Sequence, residues 1–107
     1  MTLALTHSVA LLGLEGHLVT VEVDIADGLP GYSLLGLPDT ALTESRERVR
    51  SAIVNCGEVW PNRKVTVSLS PAWLPKSGSS FDLAICISVL SAHESIEKEK
   101  IEELLFL

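Results

Sequence analysis

Alternation of apolar and polar positions dominates the first third of the chain. Leu3, Leu5, His7, Val9 and Leu11 recur at period two, which predicts a half-buried strand over 3–12. Gly13-Leu14-Glu15-Gly16 reads as a turn. Val19, Val21, Val23 and Ile25 then alternate with Leu18, Thr20, Glu22 and Asp24, predicting a second strand over 17–25. Asp27-Gly28 marks another turn, and 31–35 a short third strand, so this part reads as an antiparallel meander. The period then changes. Pro38 and Asp39 open a helix, with Asp39 as N-cap, and Leu42, Ser45, Val49, Ala52, Ile53 and Cys56 form its buried stripe. Gly57 is the expected stop. Its outer face carries Glu44, Arg46, Glu47, Arg48 and Arg50, with Glu44 and Arg48 placed for an i,i+4 pair.

Val65, Val67 and Leu69 predict a fourth strand, and a loop rich in proline and serine follows from Ser70 to Ser80. Ser79 and Asp82 fit a capping box ahead of a helix over 81–92. That helix is apolar nearly all round, the pattern of a central core helix. Residues 93–103 form a charged amphipathic segment. The closing run Leu104-Leu105-Phe106-Leu107 has no terminator and reads as a strand cut from its continuation.

A chain of 107 residues has room for one core. With 47% hydrophobic and 21% charged residues its composition is globular, and no apolar run reaches the ~18–20 residues of a membrane span. Cys56 and Cys86 lie in no CxxC and are expected to be buried thiols in a reducing cytosol. The net charge is −6, yet six of the eight basic residues fall between Arg46 and Lys76. An acidic domain therefore carries one basic stretch. Arg46 and Arg50, one helical turn apart, can address a single phosphate-sized group, and Arg63 and Lys64 precede the fourth strand. Guanidinium forks suit phosphates and equally suit carboxylates of a neighbouring subunit. Trp60 and Trp73 beside prolines are expected to anchor loops; base stacking is the alternative.

Other chemistry is thinly represented. The sequence contains no GxxxxGK[ST], so no P-loop is present. His7, His17 and His93 are dispersed without metal-ligand spacing, and His7 is expected in the core.

Three stretches carry a family resemblance. The segments 30–39 (PGYSLLGLPD), 44–52 (ESRERVRSA) and 69–83 (LSPAWLPKSGSSFDL) resemble the corresponding motifs of the magnesium-chelatase-like (YifB/ComM-type) AAA+ ATPases. Trp73 departs from that pattern, standing where an acid is usual. The resemblance implies an α+β fold similar to the Lon protease domain and the second domain of ribosomal protein S-five. It implies a single N-terminal domain, truncated at its C-terminal end. The AAA+ module, which would hold ATP and Mg2+, is absent from this chain, and no cofactor is expected here. It further implies a cytoplasmic homo-hexamer associated with DNA processing, including competence, in which this domain contacts DNA or orders the ring. The 75–80 loop also resembles the Lon nucleophile loop, with Ser80 at the nucleophile position. The lysine base of that pattern would come later than Lys98 and Lys100, so Ser80 is expected to be structural, a helix cap, and the chain non-enzymatic. A degenerate serine peptidase is the enzyme alternative.

Overall fold

A computed structural model describes residues 2–36, 39–74, 76, 80–93 and 104–106. In chain order the elements are β1 (Thr2–Leu12), β2 (Glu15–Ala26), β3 (Gly31–Leu35), α1 (Thr40–Thr43), α2 (Ser45–Asn55), β4 (Lys64–Ser70) and α3 (Asp82–Ala92). This is an α+β arrangement: a mixed four-stranded sheet of order β1-β2-β4-β3 with α3 laid on β1 and β2 and α2 beside α3. The first two strands form the expected hairpin, in unbroken antiparallel register from Thr2↔Ile25 to Leu12↔Glu15.

The third strand corrects the meander. Instead of adding to β2, β3 pairs in parallel with β4, from Gly31↔Lys64 to Leu35↔Ser68, while β4 pairs antiparallel with β2. A parallel neighbour needs a crossover, and α1 and α2 supply it. Local alternation cannot reveal that a strand arriving thirty residues later takes the place beside β2.

The core is the helix-facing side of the sheet. Val19, Val21, Val23 and Ile25 of β2 and Val65, Val67 and Leu69 of β4 are buried, as their alternation predicts. In β1 the face is inverted. Ala4, Thr6, Ser8 and Ala10 point into the core, whereas Leu3 and Leu11 are exposed and Leu5, His7 and Val9 half-buried on the outer face. His7 is therefore not a core residue; its Nδ1 lies 3.4 Å from Thr20 Oγ1 across the hairpin. The reason lies in α3, whose buried residues include Ala84, Ser88, Ser91 and Ala92. Small side chains on both elements let helix and strand approach closely. The Thr6 hydroxyl donates to the Ala84 carbonyl (2.9 Å) and, with that proton spent, accepts from Ser88 (2.6 Å). Consequently α3 is not covered all round: Leu83 is exposed, and Cys86, Ile87 and Leu90 are half-buried.

The long predicted helix is two. Asp39 caps as expected, its Oδ1 accepting from Leu42 N at 2.7 Å, but α1 ends at Thr43 and Glu44, with ψ −2°, separates it from α2. No glycine or proline marks that break. Of the predicted stripe, Leu42, Ser45, Val49 and Ile53 are buried, while Ala52 and Cys56 are exposed. Gly57 follows at φ +83°, the left-handed stop that ends α2. Neither cysteine is fully buried: Cys56 lies at the exposed end of α2, and Cys86 is half-buried on α3. The predicted capping serine Ser79, Pro38 and segment 94–103 lie outside the described residues.

Candidate functional site

The residues 44–52 that carry the basic stretch build the N-terminal half of α2. Its inner side is fixed by Ser45, Val49 and Ile53. Tyr32 of β3 reaches Ser45 through a 3.2 Å hydroxyl–hydroxyl hydrogen bond, and its ring leans on Trp60 at 6.1 Å. Burial raises the Tyr32 phenol above the usual tyrosine range, keeping it neutral as a hydrogen-bonding group.

The three α2 arginines then divide. Arg48 forks onto Asp82 at the start of α3, Nε to Oδ2 at 2.5 Å and Nη2 to Oδ1 at 3.1 Å. That bond raises the Arg48 pKa, with nearby Glu44 adding to the effect. Arg48 thus ties α2 to α3, rather than serving only the predicted pair with Glu44. Asp82, read as a capping residue, is the other half of this clasp. No sequence signal joins two residues 34 apart. Arg46 and Arg50 are exposed one turn apart and, among the described residues, make no hydrogen bond or ion pair.

Arg63 and Lys64 lie elsewhere. Arg63 donates to Asp27 Oδ1 at 3.1 Å, bridging the exit of β2 to the entrance of β4, and its carbonyl accepts from Gly31 N. Lys64 is exposed as the first residue of β4. Because β3 and β4 are parallel, α2 starts near the end of β3 and finishes near the start of β4. Arg46 is therefore separated from the Arg63–Lys64 end by most of the helix, roughly 14 Å at 1.5 Å per residue. The structure gathers Arg46 with Arg50, and Arg63 with Lys64, but not the four together.

The loop before α3 holds a group that pattern reading missed. Lys76 is 1% exposed, its ammonium donates to the Pro71 carbonyl, and its own carbonyl accepts from Asp39 N at 3.0 Å. It pins the loop to the start of α1. Burial lowers its pKa below the usual lysine value of 10.5. The unfolded chain then holds the proton more tightly, so this group's contribution makes stability rise with pH, from the lowered folded pKa up to 10.5. Lys76→Met removes that dependence. As pH rises towards 10.5, the parent's melting temperature should gain on the variant's. Parallel movement of the two, followed by circular dichroism, would refute it.

Ser80 is exposed in the turn before α3, and among the described residues its hydroxyl meets no partner. It does not cap the helix: the N-cap position is Phe81, without a side-chain bond, and the negative charge in the first turn is Asp82. The Lys76 amine is committed to Pro71. Trp60 packs against the core as a loop anchor, but Trp73 is 63% exposed, with the His17 ring set perpendicular to it at 5.8 Å. Among the described residues no group of three or more His, Cys, Asp or Glu is placed to hold a metal ion.

The model for subunit ChlI of Mg-chelatase matches residues 21–107. A protein of Mycobacterium tuberculosis is 51% identical over 107 residues, covering 100% of this chain and 21% of its own length. YifB of Escherichia coli is 47% identical over 103 residues, 96% of this chain and 20% of its own. The competence protein ComM of Haemophilus influenzae is 40% identical over 107 residues, 100% of this chain and 21% of its own. The chain spans about a fifth of the length of the curated relatives it matches.

Proposed function

The chain belongs to the family of the ChlI subunit of Mg-chelatase, of YifB/ComM type, and on that premise we propose that it is a non-catalytic accessory domain of a AAA+ ATPase that acts on DNA. ATP and Mg2+ would be held by the ATPase module of the longer protein, a cytoplasmic homo-hexamer, and the domain would take the Lon-protease-domain-like fold. Its own part is to present Arg46 and Arg50 to the phosphodiester backbone. The observation that carries this reading is the division of the arginines: Arg48 and Arg63 are engaged by Asp82 and Asp27, while Arg46 and Arg50 stand exposed in line on one helix face. Two guanidinium groups a turn apart match a phosphate or an adjacent pair.

One observation favours a second reading, in which the domain only orders the ring. The outer sheet face carries the exposed Glu22 and the half-buried Asp24, so a neighbouring subunit's arginines could dock there. A serine peptidase is disfavoured, because among the described residues Ser80 has no base at hand.

The two readings separate in the full-length protein. Arg46→Ala with Arg50→Ala should raise the DNA concentration needed to stimulate ATP hydrolysis while leaving the basal rate and the oligomer intact. Loss of the oligomer instead would assign these residues to assembly.

A further inference from the structure

β1 ends the sheet, with β2 as its strand neighbour, and its own sequence carries none of the charges, prolines or bulges that protect an edge. Its sequence from Thr2 to Leu12 contains no charged residue and no proline, and its unbroken register with β2 leaves no bulge. It is also long, at 11 residues. Such an edge invites a partner strand.

Occupation of that edge has already begun. Leu105 bridges His7 in the parallel sense, and Phe106 N–H donates to the His7 carbonyl at 2.8 Å. Phe106 is half-buried against the hydrophobic core, so the contact has a packed side chain behind it. The bridge fixes direction: chain continuing past Phe106 in this sense runs towards Leu12.

We infer that the edge of β1 beyond His7 receives a fifth, parallel strand, supplied by the segment of the longer polypeptide that follows these 107 residues. Along a strand the backbone groups of alternate residues point to the same side. His7 directs its carbonyl outward, so Val9 and Leu11 present their N–H and C=O groups to that open side, while Ser8 and Ala10 face β2. Among the described residues nothing pairs with Val9 or Leu11 there. The curated relatives are about five times the length of this chain, which is the polypeptide from which such a strand would be drawn. A second copy would have to displace residues 104–106 from the His7 position, whereas a continuation starts from it. The inference is independent of DNA contact.

Amide hydrogen exchange on the full-length protein tests this, read on a peptide covering 8–12. Val9 and Leu11 should join their inward neighbours as slow amides, retarded on the order of a hundredfold or more relative to Leu14 in the hairpin turn. That protection should be the same at low and high protein concentration. Rapid exchange at Val9 and Leu11 while Val21 at the sheet centre stays protected would overturn the proposal. Protection that grows with protein concentration would overturn it in favour of a second copy.

Discussion

Gly36→Ala is expected to cost about 3 kcal/mol or more, a large share of the roughly 5–15 kcal/mol that keeps a domain of this size folded. Gly36 leaves β3 at φ +110°, a conformation L side chains rarely adopt. A Cβ built there would lie 2.1 Å from the Leu69 carbonyl oxygen of β4, and backbone within a paired strand cannot move aside as a side chain tip can. Relief would require parting β3 from β4, which would also disturb Tyr32 and its hold on Ser45 of α2. A domain of this size loses roughly 4–8 °C of melting temperature per kcal/mol. The variant should therefore melt at least ~12 °C below the parent by circular dichroism. A shift below ~4 °C would mean that Gly36 does not approach β4 as described.

The second large effect is an inverted ranking along β1. Ala84→Leu should cost about 1–3 kcal/mol through overpacking, because Ala84 is buried in α3 where the helix meets Thr6. Leu11→Ala should cost within about 0.5 kcal/mol, since Leu11 is 76% exposed on the outer face. Chemical denaturation of both variants decides the matter. A Leu11→Ala loss in the 2–5 kcal/mol range of a buried leucine would show that the leucine face of β1 is the core side.

That inversion shows where sequence and structure part. Either face of β1 alternates, and hydrophobicity alone selects the leucines. The selection fails because the core side is set by how closely α3 approaches, and close approach favours Ala4, Thr6, Ser8 and Ala10 against Ala84 and Ser88. Where both faces were unequal in polarity, as in β2 and β4, the alternation named the buried side correctly. Asp39 as cap and Gly57 as stop were legible because each depends on local backbone geometry. The break at Glu44 carries no local marker, and the insertion of β4 between β2 and β3 is a non-local pairing.

The candidate site divides along the same line. Arg46 and Arg50 as an aligned pair follow from helical spacing alone. That Arg48 between them is engaged by Asp82, that Arg63 is engaged by Asp27, and that Lys76 is buried all depend on residues brought together by the fold. The sequence therefore pointed to a basic stretch of six residues, and the structure leaves Arg46 and Arg50 as its exposed, aligned pair.

The most direct test is a fluorescence-anisotropy titration of the full-length protein with single-stranded and branched DNA, at about 50 mM and about 200 mM salt. It should be run with and without Arg46→Ala and Arg50→Ala together. Direct phosphate contact by both residues should make the double variant bind more weakly. Its salt dependence should also be shallower, by roughly 1.4 on single strands and roughly 1.8 on duplex arms in the slope of log affinity against log salt. Equal affinity and equal slope in parent and variant would contradict DNA contact by this domain.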